Sequence, residues 1–168
     1  MLVDSSLLLG VTFEAVHTPA CEPVHPAWVG ELTTPITTSM AVLQLAGGRY
    51  VLLAPCEVEI DPGKYPSLGL KLSESSESAL RWHGPDGKAY SMRPLPAASE
   101  LSPFTVSALA ESDPLEEGAI SELILSNASG HVILFRHIFP PMTLGLAFAV
   151  NGQAPNNSSK PTPLRGAA

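Results

Sequence analysis

Charge is scarce in this sequence, and the shortage falls mainly on basic residues. Only 15% of the 168 residues are charged, and nine Lys and Arg stand against sixteen Asp and Glu, which gives a net charge of −7. A nucleic-acid-binding surface needs clustered Lys and Arg to neutralise phosphates. The composition therefore disfavours nucleic acid as a partner, and the acidic balance is more simply a contribution to solubility.

Long apolar runs are also missing. No stretch approaches the roughly 18 continuous apolar residues of a membrane-spanning helix, so we expect no membrane association. The first residues include Asp4 but neither a basic start nor a small-residue cleavage site, and they do not fit a signal peptide. The default expectation is a cytoplasmic location. The two cysteines, Cys21 and Cys56, are then expected to remain thiols.

The common catalytic and nucleotide-binding motifs are absent. The sequence contains no G-x-S-x-G, no G-x-x-x-x-G-K-[ST] and no G-x-G-x-x-G. The acidic stretch at 111–118 lacks the residue order of a calcium-binding loop and reads as a solvated turn. We expect no cofactor. The sequence leans against an enzyme but leaves the question open, because a catalytic triad assembled in space has no local signature.

What is present is a turn-rich apolar chain whose hydrophobic residues alternate with a period of two. Hydrophobic residues make up 45% of the sequence, with 17 Pro and 13 Gly. Period-two alternation is typical of β-strands, and frequent Pro and Gly indicate many tight connections. Helix evidence is limited to a short stretch with a candidate serine cap at 73–82. The predicted strands are 6–16, 27–32, 39–46, 49–60, 67–72, 79–83, 88–92, 104–110, 119–126, 131–139 and 144–150.

These strands predict an all-β fold, an antiparallel sandwich or partly open barrel formed by residues 1–150 as a single domain. Turn signals at 46–48, 84–87 and 127–130 each separate two predicted strands. The 84–87 turn, Gly-Pro-Asp-Gly, has the signature of type I. The segments LQLAGGRYVLL and PSLGLKL are echoed later by LILSNASGHVILF and MTLGLAF. One interpretation is two similar meander halves; the other is a chance match between strand-rich segments.

The stretch HTPACEPVH is the strongest candidate metal site. His17, Cys21 and His25 have an even spacing, and imidazole and thiolate are the ligands that zinc prefers. Pro19, Pro23 and Pro26 exclude a helix that would align these side chains, and the spacing matches no common zinc motif. A proline-rich surface loop is therefore the favoured interpretation, and no metal is predicted.

The stretch RHIFPPMTLG is the second unusual segment. Pro140, Pro141 and Met142 follow a strand that is apolar on both faces, and ordered prolines lower the entropy that binding would cost. The segment is either an exposed, preorganised contact surface or a rigid crossover between core strands. The crossover is favoured, because Pro commonly ends strands. His137, within the same stretch, is interpreted as a hydrogen-bonded core or edge histidine.

The last fourteen residues, PNNSSKPTPLRGAA, have no apolar pattern. They resemble the C-terminal tails of proteins encoded in integron gene cassettes, in which the reading frame runs into the attC recombination site. The common form has Phe where this chain has Ser159. The resemblance implies a mobile bacterial gene, and it transfers no fold or activity to residues 1–150, for which no family is recognised. Residues 151–168 are expected to be a disordered tail.

Taken together, the sequence predicts a non-catalytic β domain that binds a partner protein or itself, of the immunity or accessory type. The absence of catalytic motifs, the low charge and the apolar, proline-braced strands favour this function. The alternative is a small-molecule-binding barrel or a small enzyme whose site has no sequence signature.

Overall fold

A computed structural model describes residues 5–19, 36–58, 63–64, 66–95, 98–99, 102–111, 119–138 and 141–149. Within these ranges the chain forms two short 3-10 turns, at Ser5–Leu8 and Glu77–Leu80, and twelve strands. The strands are β1 Thr12–Thr18, β2 Ile36–Thr38, β3 Ala41–Leu45, β4 Arg49–Val58, β5 Ser67–Ser75, β6 Arg81–His83, β7 Ala89–Ser91, β8 Arg93–Pro94, β9 Phe104–Glu111, β10 Ala119–Ser126, β11 Val132–Ile138 and β12 Thr143–Ala149.

Six of the strands close into an antiparallel ring. Going round it, β1 pairs with β3, β3 with β4, β4 with β5, β5 with β10, β10 with β9, and β9 with β1. The predicted all-β antiparallel fold is thus confirmed, and the barrel is closed. Closure leaves the ring strands without an open edge along these ladders, which removes a common route to aggregation.

The strand β10 joins the ring to a second group of strands. Ile120 lies between Leu70 of β5 and Glu111 of β9, whereas Glu122 lies between Arg136 of β11 and Ala110 of β9. β5 and β11 therefore share the edge of β10 that faces away from β9. From there β11 pairs with β12, and β12 with β2. We call β11, β12 and β2 the wing.

The interior of the ring is filled by large side chains. Every ring strand contributes at least one whose residue is less than 2% exposed: Phe13, Leu43, Leu53, Leu70, Leu72, Phe104, Ile120, Leu123 and Leu125. Ile133 and Phe135 of β11 and Leu144 and Leu146 of β12 belong to the same core cluster. The wing therefore packs on the ring through a shared core. Side-chain filling of this kind is typical of narrow barrels, because few strands enclose little space.

In β4, buried residues alternate with half-buried ones. Val51 and Leu53 are buried, whereas Tyr50 and Leu52 on the other face are half-buried. Pro55 lies inside this strand, although Pro normally interrupts a sheet. It is accommodated because β3 pairs with β4 only as far as Leu53, and the pairing of β4 with β5 continues past Pro55.

Most predicted strand positions are confirmed, and three differences stand out. The strand predicted at 6–16 begins only at Thr12, because Ser5–Leu8 forms a 3-10 turn that ends at Gly10, a residue with φ of +79°. The predictions missed β2 and β8, which have three and two residues and are too short to show alternation. The strand predicted at 27–32 lies outside the described residues, as does the tail at 151–168.

The three predicted turns all join neighbouring antiparallel strands. The turn at 46–48 connects β3 to β4, that at 84–87 connects β6 to β7, and that at 127–130 connects β10 to β11. The two echoed segments fall on two meanders, β3–β5 and β10–β12. The two meanders occupy different parts of the fold. All three strands of β3–β5 belong to the ring, whereas only β10 of the second meander belongs to it. A true duplication stays a prediction.

None of the helical segments in the described ranges is long and apolar enough to cross a membrane.

The two faces of β4 offer a direct test of which side chains form the core. Leu53→Ala is expected to lower the free energy of unfolding by about 3 kcal/mol, because it opens a cavity in a closely packed interior. The neighbouring Leu52→Ala, on the half-buried face, is expected to cost about 1 kcal/mol or less. Urea denaturation of both variants measures the difference. Equal losses would contradict the assignment of the core face.

Candidate functional site

The turn between β11 and β12 exposes the residues predicted as a contact surface. Pro141 and Met142 are exposed, and Met142 retains 56% of its accessible surface. Pro140 lies outside the described residues. Single exposed apolar side chains are common on protein surfaces, so the exposure of Met142 alone does not indicate a function. The hydrogen bonds and backbone conformation of the turn are more informative.

A buried histidine fixes this turn. His137 is 7% exposed, and its Nδ1 lies 2.8 Å from the carbonyl oxygen of Cys56 and 3.0 Å from that of Gly69. Its Nε2 lies 2.7 Å from the backbone nitrogen of Met142. Carbonyls can only accept, so Nδ1 carries the proton and donates to both. The Met142 N–H donates to Nε2. This arrangement requires the neutral imidazole, and it matches the structural role interpreted from the sequence.

The two carbonyls belong to one cross-strand pair of the barrel wall. Cys56 of β4 lies directly opposite Gly69 of β5. A Cβ atom at position 69 would lie 2.6 Å from Cγ2 of Val58, so only glycine fits there without displacing its neighbour. His137 therefore links the wing to the β4–β5 ladder. Cys56 forms no disulfide within the described residues.

Met142 has an unusual backbone conformation. Its φ of +67° is the one positive value among non-glycine residues of the described ranges. For an L-residue other than Gly this left-handed conformation costs about 1–2 kcal/mol. The bond from its N–H to His137 holds the residue in place. Strain of this kind persists only where the surroundings impose it, and it clusters at contact and switch sites.

The candidate metal ligands are only partly visible. His17 of β1 is 9% exposed, and its Nε2 lies 3.0 Å from Oε1 of Gln44, while its Nδ1 is buried without a hydrogen-bond partner. Cys21 and His25 lie outside the described residues. Within the part of the chain that is described, no three His, Cys, Asp or Glu side chains form a group that could hold a metal ion. The spacing of the three residues stays a hypothesis.

The β6–β7 hairpin has a well-ordered turn. Gly87 donates its N–H to the Gly84 carbonyl at 2.9 Å, and Gly87 has a φ of +74°, as in hairpins with a type I turn. The Asp86 carboxylate accepts the Tyr90 hydroxyl at 2.7 Å and the Lys88 N–H at 3.1 Å. A Cβ at Gly84 would lie 2.8 Å from both the Tyr90 ring and the Asp86 carboxylate, so these groups pack directly on the glycine.

These contacts shift the ionisation of both side chains. The pKa of the Asp86 carboxyl is lowered from its ordinary 3.8, first by the bond from the Tyr90 hydroxyl and then by the Lys88 N–H. The pKa of the Tyr90 phenol is raised from its ordinary 10.0, mainly by the same bond. The carboxylate and the protonated phenol therefore stabilise each other over the neutral pH range.

A shallow groove lies at the start of β4 and the end of β5. It has a volume of about 450 Å³ and is lined by Gly48, Arg49, Tyr50 and 74–77. Arg49 and Glu74 form an ion pair of 3.8 Å across it, with both side chains more than half exposed. Exposed pairs of this kind contribute little stability, and the groove lacks the enclosed apolar walls of a small-molecule site.

No protein-family model, no curated protein and no solved structure matches the chain.

The sequence indicated parts of these sites. Gly-Pro-Asp-Gly predicted the hairpin turn, but nothing marked Tyr90 as the partner of Asp86. His137 was placed on an apolar strand, yet its two carbonyl partners lie 81 and 68 residues earlier in the chain. Such contacts depend on how β11 crosses the barrel wall, which a period-two pattern does not specify.

Replacing His137 tests its role as a link between the wing and the barrel wall. His137→Phe is expected to lower the free energy of unfolding by about 2–4 kcal/mol, because it leaves buried backbone groups without partners. His83→Gln, at an exposed position, should change it by less than about 0.5 kcal/mol. Thermal and urea unfolding of both variants provide the measurement. A His137→Phe variant as stable as the parent would contradict this role.

The Asp86–Tyr90 contact predicts a defined pH window for the hairpin turn. Because the pKa of Asp86 is lowered in the folded state, its stabilisation of the turn is complete above the ordinary value of 3.8 and is lost as the pH falls through the lowered folded-state pKa. Because the pKa of Tyr90 is raised in the folded state, its stabilisation of the turn is complete below the ordinary value of 10.0 and is lost as the pH rises through the raised folded-state pKa. The Lys88 amide resonance should shift at both limits. In Asp86→Asn the acid shift should vanish; its persistence would rule out Asp86 as the cause.

Proposed function

We propose that this chain is a non-catalytic protein-binding β domain of the immunity or accessory type, with the β11–β12 turn as part of its binding surface. The observation that carries the proposal is Met142, an exposed apolar residue held in a left-handed conformation by the buried His137. Glycine would adopt this conformation without the backbone cost, yet the chain has Met at this position. A contact role for the Met142 side chain explains why Met stands there.

Met142 suits binding because its backbone is already held in place. Its N–H donates to His137, and His137 donates to the barrel wall, so a partner would not have to immobilise this residue. Less ordering on association means that more of the contact energy remains as affinity. Met adapts its shape to an apolar partner surface, which explains its frequent use at interfaces.

The filled ring supports binding at the surface rather than inside the barrel. Barrels that hold small ligands keep a cavity between their strands, whereas here large apolar side chains from all six ring strands occupy that space. The alternative, a small-molecule-binding barrel or a small enzyme, would need a site outside the ring interior.

The origin of the gene belongs to the same proposal. The tail that resembles an attC-encoded sequence is consistent with a mobile bacterial cassette, whose product acts in the cytoplasm on a partner protein or on a second copy of itself. A small barrel that exposes Met142 beside the buried His137 is suited to such binding.

Met142→Gly separates binding from stability. Glycine adopts a positive φ without steric cost, so this variant is expected to be more stable by about 1 kcal/mol. Loss of the side chain is expected to weaken binding about tenfold, the usual effect of removing a central apolar contact. Urea denaturation measures the stability. Affinity capture with the tagged full-length chain, followed by titration of the captured protein, measures the binding.

The matched control is Ala128→Gly in the exposed β10–β11 turn, which should leave binding unchanged. A stabilised Met142→Gly variant that binds as tightly as the parent would remove this turn from the binding surface. A chain that is monomeric in solution and captures no protein would contradict the proposed function as a whole.

A further inference from the structure

The β6–β7 hairpin presents an uncovered face on a different surface from the β11–β12 turn. Its two strands form a separate two-stranded sheet, with Arg81 opposite Ser91 and His83 opposite Ala89. Directly opposed residues share one face of a sheet, as do residues two apart. All four residues are exposed, so nothing in the described chain covers this face.

Arg93 extends the same surface. Met92 is buried between the exposed Ser91 and Arg93, so these two residues, which are two apart, lie away from the side on which Met92 is buried. We call Arg81, His83, Ala89, Ser91 and Arg93 the basic hairpin face. The Met92 N–H donates to the Leu80 carbonyl, and β8 pairs with β1, so the base of the hairpin is attached to the barrel.

The face is positive in a chain that is otherwise acidic. Residues 81–95 contain three Lys and Arg and one Asp, which gives this segment a net charge of +2. The whole chain carries −7, so the residues outside this segment carry a net charge of −9. The one ion pair among the described residues is Arg49 with Glu74. Arg81 and Arg93 are thus left without a carboxylate partner there, in a chain with sixteen carboxylates.

The hairpin is preorganised for contact. The Asp86 carboxylate, the Tyr90 hydroxyl and the packing on Gly84 hold its turn, as described above. Isolated two-stranded sheets are only marginally stable, so these turn contacts and the attached base maintain the shape of the face. Ala89 and Ser91 are small, which allows a partner backbone to approach between the basic side chains.

We propose that the basic hairpin face binds an extended acidic segment of a partner protein, with carboxylates at alternate positions. Arg81 and His83 are two residues apart on one strand, which places them about 6.8 Å apart along it. Alternate side chains of an extended peptide have the same spacing, so two carboxylates separated by one residue can contact both at once. The basic hairpin face is a second surface, and its binding does not depend on Met142.

An acidic protein segment fits this face better than nucleic acid does. Salt screens electrostatic interactions beyond about 8–10 Å under physiological conditions, so the basic hairpin face attracts only charges close to it. A short acidic segment is therefore a sufficient partner. A nucleic acid carries phosphates along its whole length and would meet the net charge of −9 on the rest of the chain. A short acidic segment avoids that repulsion.

The test uses the full chain and a labelled twelve-residue peptide of alternating Glu and Thr. Binding is followed by fluorescence anisotropy in low salt. Arg81→Gln/Arg93→Gln is expected to weaken binding about tenfold, because exposed ion pairs each contribute up to about fivefold. The amide resonances of Ala89 and Ser91 should shift on titration. Circular dichroism and thermal unfolding establish that the variant is folded.

The control Arg49→Gln/Lys64→Gln removes the same charge elsewhere and should leave the affinity within twofold. An equal loss in the control would show a general charge effect and overturn the proposal. So would failure of the peptide to bind, equally tight binding of a peptide of three Glu-Glu-Thr-Thr repeats, in which no two Glu are separated by one residue, or tighter binding of a single-stranded oligonucleotide. A dimer that the Arg81→Gln/Arg93→Gln variant abolishes would make a second copy the occupant and overturn the stated partner.

Discussion

The fold depends on how β9 closes the ring. On one side β9 pairs with β10 over most of its length, and on the other it pairs with β1 only at Thr12–Thr105 and Phe13–Phe104. Two further bonds, between Gly10 and Val106 and between Val106 and Val11, lengthen this short seam. The buried Phe13 and Phe104 side chains lie at the same point. One of the two shortest ladders of the ring is therefore reinforced by the largest buried apolar residues of the ring strands, and the other elements are arranged around a ring that this seam completes.

Because large side chains fill the ring interior, a binding site would have to lie outside it. The two surfaces with unusual chemistry, the β11–β12 turn and the β6–β7 hairpin, both lie at tight connections between short strands. One is apolar and braced by a buried imidazole, and the other is basic and braced by a carboxylate–phenol contact. Rigid connections on a packed scaffold are where binding residues are commonly placed. The barrel supplies stability, and the connections supply the chemistry.

The sequence predicted the parts of this structure that depend on neighbours along the chain. Alternation in β4 and the Gly-containing turns at 46–48 and 127–130 identified strands and hairpins, because these are local effects of side-chain period and backbone freedom. The order of strands was not predictable, since β5 meets β10 across 43 intervening residues. The same limit applies to His137, whose partners are chosen by the crossing of β11 over the barrel wall. Cys21 and His25 lie outside the described residues, so their spacing with His17 stays a hypothesis.

The imidazole of His137 has a consequence for how the molecule responds to load. It spans from the Met142 amide to two carbonyls of the barrel wall, so three strands share a single aromatic ring as their joint. A pull on the β11–β12 turn is transmitted through that ring to β4 and β5 rather than absorbed by a flexible loop. Met142 and the barrel wall are therefore mechanically coupled through one residue.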